Sequence, residues 1–249
     1  MSNLERLVIP KAMGSPVSKP KPTLELERAL LLEGKRYIAG VDEIGVGAIA
    51  GPLIAVAVIL PLPRLDEDID QGLKTLTTQL DGVRDSHHLY SDQPEKLYPL
   101  IEQIARPNIG LGILEVDELS QINNQEQAAI VARTRAVEAL PLIPDFVLLD
   151  GRVRIGGTVP FANVAKVKNG TTSLSVAAAA VIATVMHYRI MRQQDKLYPV
   201  YGFGRNAGNI SPTHLAALAS YGPSPIHHPH NRIVQGFQAQ SQVELEKEL

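Results

Sequence analysis

Residues 37–60, YIAGVDEIGVGAIAGPLIAVAVIL, constrain this fold more than any other stretch. Two β-rich runs, RYIAGV and PLIAVAVIL, are bounded by Gly and Pro and separated by a glycine-rich turn. A parallel pair needs a crossover of a dozen residues or more, so runs this close predict an antiparallel pair. Two explanations compete for the glycines. In a dinucleotide-binding loop the third glycine opens a helix whose N-terminus takes the pyrophosphate. Here Gly51 is followed by Pro52 and an aliphatic run, and three residues rather than two separate Gly47 from Gly51. The other explanation is a turn that ends a strand and presents Asp42 and Glu43 to metal ions.

The rest of the chain reads as an α/β protein. TLELERALLLEGKR predicts a short amphipathic helix with Thr23 as N-cap and Gly34 at its close. KLYPLIEQIA has helical period, NIGLGILEV reads as a third strand, and VDELSQINNQEQAAIVARTRAVEAL as one long helix. DFVLLD is a buried-type strand ending on an acid, Asp150, and NVAKV a last strand. An Ala-rich helix follows, TSLSVAAAAVIATVMHYRIMRQQDKL, whose apolar first half should lie on the sheet. Two shorter helical segments and a polar tail close the chain. Three strands first, then strands alternating with helices, predict a mixed sheet.

With no cysteine, disulfides and thiolate chemistry are excluded, and any metal must be held by oxygen or imidazole. The longest apolar runs fall short of the ~20 residues a membrane span needs, so a cytoplasmic protein without a membrane partner is expected; a monomer is expected too. Charge is uneven: 14 Lys and Arg stand against 22 Asp and Glu up to residue 150, and 10 against 4 beyond it. That distribution fits a polyanion-binding half beside acidic metal ligands, and equally an ordinary mixed surface.

The metal reading asks for carboxylates brought to one end of a sheet from distant parts of the chain. Asp42 and Glu43 end the first strand and Asp150 ends another; if those strands are parallel neighbours, the acids converge. Clustered carboxylates repel unless cations lie between them, and hard oxygen donors select Mg2+ or Mn2+.

In order and spacing, AGVDEIGVGAIAGPLIAVAVIL, DELSQINNQEQAAIVARTRAVEAL, FVLLDGR, VAKVKNG with SVAAAAVIATVMHYR, YGF and HHPHNR resemble bacterial ribonuclease HII over about residues 35–235. The resemblance implies the ribonuclease H-like fold, a central mixed five-stranded sheet flanked by helices with a small helical C-terminal part. It also implies endonucleolytic cleavage of the RNA strand of RNA/DNA hybrids, and of ribonucleotides embedded in duplex DNA, with Mg2+ or Mn2+. By position Asp42, Glu43 and Asp150 match three of the family's catalytic metal ligands, and Gly45, Gly47, Ser86 and Lys168 match substrate-binding positions. It implies a ribonuclease H-like domain over 35–237 with its C-terminal helical part from about 196, while composition and helix signals predict a flexible arm and short helix over 1–34 and a polar tail over 238–249.

The departures from the family pattern fall at informative places. The fourth acid of a Lys-Gly-Asp sequence is replaced: the chain reads Lys168, Asn169, Gly170. Gly-Arg-Gly becomes Gly45, Val46, Gly47; Asp-Ser-Lys becomes Asp85, Ser86, His87; and Lys-Gly-Tyr becomes Ala207, Gly208, Asn209. These losses remove charge-assisted phosphate contacts and a ring near the 2′-hydroxyl, the group that distinguishes RNA from DNA. A family member that binds nucleic acid or a protein partner without cutting is therefore the second reading.

Three weaker signals remain. HHPH at 227–230 invites zinc, but contiguous His in a Pro-rich turn have poor geometry for one tetrahedral ion, and a turn leading to the last helix is expected. Lys166, Lys168, Arg189, Arg192 and Arg205 are candidates for a phosphate track, or else one solvated face. Asp117 and Glu118 open the predicted long helix, where the dipole explains acids without chemistry.

Overall fold

The computed structural model describes residues 21–83, 93–122, 124–150, 154–164 and 173–238, without the side chains of 162–164. The glycine-rich turn does join an antiparallel pair. β1 (Ile38–Ile44) and β2 (Leu53–Ile59) register Ala39 opposite Ile59 and Ile44 opposite Ile54. β3 (Ile109–Leu114) pairs antiparallel with β2, while β4 (Phe146–Asp150) and β5 (Phe161–Val164) add parallel on the other side of β1. The result is a mixed five-stranded sheet in the order β3-β2-β1-β4-β5. β1 sits in the middle, so whatever side chains end it are held by neighbours on both sides.

Strand alternation sorts the core into two layers. Ile38, Ile54, Val56, Val58 and Leu148 face α6 (Leu174–Leu197), and Ala39, Val41, Ala55, Val147 and Leu149 face α5 (Gln125–Glu138). The Ala-rich start of α6 allows close approach. A Cβ on Gly40 would lie 2.2 Å from the Ser175 carbonyl carbon, so only glycine lets β1 lie flush against this helix. The apolarity of α6 reflects this burial. Over the window in which its length and composition would suit a membrane span, 78% of it is buried inside the molecule.

α1 (Glu25–Leu32) closes at Gly34 as expected, with φ +85, but Leu24 rather than Thr23 takes the N-cap position and no side chain caps it. Its anchor is Glu27, which is fully buried against the first turn of α6. Glu27 Oε1 accepts from the Ser173 hydroxyl at 2.8 Å, the Ser175 hydroxyl at 2.5 Å and the Ser175 N–H at 3.1 Å. Burial raises the carboxyl pKa against the opposing pull of the serines. Removing the acceptor strands three buried donors at once. Glu27→Ala should therefore lose about 2 kcal/mol of unfolding free energy in urea titration, and Glu27→Gln, which keeps an acceptor, about half of that. Equal losses in the two variants would show that volume, not the hydrogen-bond network, anchors α1.

Three elements depart from the sequence expectation. The predicted long helix is broken into α4 (Val116–Gln121) and α5. Asn124 provides the physical reason: its side chain accepts from the Gln127 N–H at 2.9 Å and starts a new helix instead of continuing the old one. α2 (Ile69–Gln79), which the reading above does not contain, is capped by Asp68 accepting from the Gln71 N–H. α3 (Gln93–Ala105) matches the expected helical period. β5 begins at Phe161, ahead of the NVAKV segment, whose residues from 165 on lie outside the described ones.

After α6 come a 3-10 turn (Pro199–Tyr201), α7 (Phe203–Asn206), α8 (Pro212–Tyr221) and a helical segment over 232–238. They pack around Tyr201, Phe203, Leu218 and Val234 onto Met191 of α6 and Ile49–Ala50 of the glycine-rich turn.

Candidate active site

β1 and β4 are neighbours and parallel, and their last registered pair is Val41 with Leu149. One residue further along both strands come Asp42 and Asp150, a strand spacing of about 4.8 Å apart. Gly40 and Leu148 lie on the α6 face, and with a period of two Asp42 and Asp150 follow them there. Both are half-buried, with Asp150 Oδ1 fully shielded from solvent.

Glu43, the next residue of β1, points to the opposite face and meets α5. Arg133 grips it with two parallel hydrogen bonds, Nε to Oε2 at 2.9 Å and Nη2 to Oε1 at 2.6 Å. The Arg133 Nη1 donates to the Arg154 carbonyl at 2.9 Å and lies 3.7 Å from Glu126 Oε1. Arg133 is 1% exposed and Glu43 14%. A bidentate pair this buried is costly to break from one side, typically about 3–5 kcal/mol, because the remaining charge is left without compensation.

The expected triad of ligands is therefore divided. Asp42 and Asp150 are brought together on one face, and Glu43 is committed to a guanidinium on the other. Among the described residues no group of three acids, His or Cys is close enough to hold an ion. Two adjacent carboxylates on one face do suit a single hard cation such as Mg2+ or Mn2+. Ser86, Lys168 and Gly170 lie outside the described residues, as do Asp85, His87, Lys166 and Asn169.

The turn after the acids is shaped for backbone approach. Gly45 has φ +102, and a Cβ there would come within 2.5 Å of the Pro52 carbonyl oxygen. Gly47 also has positive φ, and Val46 stands exposed at the tip. The turn is braced from far along the chain: the Ile49 N–H donates to Gly208 O and the Gly51 N–H to Ile226 O, both at 2.9 Å. His228 donates from its backbone N–H to Ile49 O at 2.9 Å and from Nε2 to Gly51 O at 2.6 Å. The Ala207–Asn209 segment is thus placed beside the turn. A cleft of about 430 Å³ opens here, between Gly45–Gly47, the start of α5 and the 228–233 segment.

The HHPH imidazoles serve separate partners. His227 Nε2 is 2.9 Å from His214 Nε2, His228 holds Gly51, and His230 Nε2 is 2.8 Å from Ser120 O. The turn reading holds over the zinc one. Arg189 and Arg192 do not form a free phosphate track: both pair with Glu95 of α3, at 2.7 and 3.1 Å, and Arg189 stacks 4.6 Å over Tyr98. Glu118 pairs with Arg135 at 2.8 Å, consistent with a structural role for the acids that open α4. Arg133 is the residue that the sequence reading missed. Its signal was its position, three and four residues from Ala129, Ala136 and Val137 in the buried stripe of α5, where a lone charge needs an interior partner.

Residues 39–234 match the family model for ribonuclease HII. The chain belongs to the ribonuclease HII family. Ribonuclease HII from Geobacter sulfurreducens is 39% identical over 210 residues, 84% of this chain and 88% of that protein. In three dimensions the ribonuclease H2 of Pyrococcus horikoshii superposes with a TM-score of 0.63 at 18% identity, covering 83% of this chain and 99% of that one. Bst ribonuclease HIII, solved in complex with Mn2+, gives 0.60 at 16% identity over 84% of this chain and 71% of that one. Both structural neighbours share the ribonuclease H-like sheet described above. Membership of the ribonuclease HII family places the chain among the ribonuclease H hydrolases, and the divided acids are to be read within that class.

Proposed function

We propose that this protein is an endoribonuclease that cuts the RNA strand of RNA/DNA hybrids, and ribonucleotides embedded in duplex DNA, by metal-assisted phosphodiester hydrolysis. The observation that carries the reading is the register of β1 and β4, which sets Asp42 beside Asp150 at the ends of two parallel strands. These two carboxylates would hold the Mg2+ or Mn2+. The chemistry a bound divalent cation supplies is polarisation of the scissile phosphate and a hydroxide nucleophile near neutral pH. The protein's own part is positional. Asp42 and Asp150 fix the cation's place on the α6 face, and Gly47, where a side chain would meet nothing within 4 Å, leaves the backbone open to a sugar-phosphate strand. The cleft beside them has an apolar floor, Leu53 and Ala128, and polar walls that include Asn124 and Arg232.

A second reading, a family member that binds without cutting, is favoured by two observations: Glu43 is engaged by Arg133, and the tip of the turn offers an apolar Val46. One experiment separates the two readings. The purified protein is incubated with a labelled RNA/DNA hybrid and, separately, with a duplex containing one ribonucleotide, each with Mg2+ and with Mn2+. Cleavage that disappears in Asp42→Asn and Asp150→Asn supports hydrolysis at these acids. Hybrid binding without cleavage in any condition supports the second reading.

A further inference from the structure

Arg133 touches the acidic site in a way that the proposed hydrolysis does not require. We propose that Arg133 is a positioning residue that serves as a built-in counter-ion for Glu43, so that the site takes one divalent cation, at Asp42 and Asp150, with the guanidinium supplying the positive charge at Glu43. This rests on the metal-dependent reading above and specifies it. Three observations support it. The pair is bidentate and its arginine is buried. The pleat sends Glu43 to the α5 face, away from the face that Asp42 and Asp150 share, so an ion between those two does not lie on the Glu43 side of the sheet. The arginine is itself fixed, with Nη1 donating to Arg154 O and its stem rising from the buried stripe of α5 that also holds Ala129, Ala136 and Val137. Drawing Glu43 towards a metal would leave a buried guanidinium whose remaining anion among the described residues is Glu126, at 3.7 Å and largely exposed. Glu43 is therefore a poor competitor for a cation as long as Arg133 is present.

The test measures Mn2+ bound to the full chain, by electron paramagnetic resonance of free Mn2+ and by calorimetry, so that it reads ligation directly. The wild type should bind one equivalent. Glu43→Gln should keep the wild-type affinity within about twofold, whereas Asp42→Asn should weaken it by at least about 100-fold, the upper end of what losing even an outer-shell partner does. Arg133→Met, close in length and without charge, should free Glu43 and add a second, weaker equivalent that disappears again in Arg133→Met/Glu43→Gln. If Arg133→Met does not fold by circular dichroism, the Glu43→Gln and Asp42→Asn pair still decides. An equal loss of Mn2+ in those two variants, or two equivalents in the wild type, overturns the proposal. Its failure is distinguishable from failure of the nuclease reading, in which wild type and Asp42→Asn would alike bind no Mn2+.

Discussion

Asp42→Asn should lower the rate of hybrid cleavage by at least about 100-fold while the protein stays folded. The amide keeps the size and half-buried place of the carboxylate but offers the cation a neutral oxygen in place of a full negative charge. A metal's contribution to a phosphodiester transition state is several kcal/mol, and each 1.4 kcal/mol is tenfold in rate. Asp150→Asn, one strand over on the same face, should behave alike. The pair together should lose little more than either alone, because residues that hold one group act as a unit. The measurement is single-turnover cleavage of a labelled hybrid beside a melting curve of each variant. A single variant that retains more than about a tenth of the wild-type rate would remove that acid from the chemistry.

Acid should loosen the protein between pH 6.5 and about 4, and buried histidines are the cause. His187 on α6 is 1% exposed, beside Gly51 and Met191, and among the described residues neither ring nitrogen reaches hydrogen-bonding geometry. Burial, which outweighs the favourable Pro52 carbonyl, pushes its pKa down to about 4, with His228 adding a little in the same sense. His227 is likewise lowered to about 4, first by burial and then by His214. The hydrogen bonds explain why the His214 and His227 rings stay neutral. His214 Nδ1 must donate to Asn209 O, which leaves Nε2 to accept from His227 Nε2–H, and His227 Nδ1 then accepts from the Ser224 N–H at 2.9 Å. A further proton on either ring sets donor against donor.

Unfolded histidine takes its proton near pH 6.5 and the folded rings only near 4, so the unfolded state binds more protons across that window. Stability is complete above 6.5 and falls as pH drops, on the order of 3 kcal/mol for each of the two rings. The melting temperature should fall by roughly 10 °C or more from pH 7 to pH 4.5. His187→Leu, which cannot titrate, should recover about half of the drop. Glu27, whose pKa is raised, opposes the trend, since it holds its proton more readily when folded and its contribution is lost as pH rises. An identical drop in wild type and His187→Leu would rule the ring out.

How much of this was legible beforehand depends on range. Asp42 and Asp150 were readable because each closes an apolar run shortly before a glycine, and strand ends are set by local chemistry. The fate of Glu43 was half readable: adjacent strand residues always face opposite ways, so Asp42 and Glu43 could not both look towards Asp150. What the sequence withheld was the partner, 90 positions away, because an arginine in an alanine stripe announces that it needs an anion without saying which. α2 escaped because Gly72 and three threonines blur a period that Ile69, Leu73, Leu76 and Leu80 carry, and Gly72 has its own reason in the Pro63 ring packed against it. The long helix was over-read because apolar spacing runs through Asn124 without registering that a short polar side chain can begin a helix as well as sit in one.

The braced turn after β1 has a practical corollary. Its four long-range ties all come from residues beyond 205, so the C-terminal segments act as a splint on a loop set down more than 150 positions earlier. A protein truncated after α6 would retain its whole sheet and every acid named here, yet the approach to them would be slack. Shortening the chain from that end would therefore blunt a tool whose cutting edge is untouched.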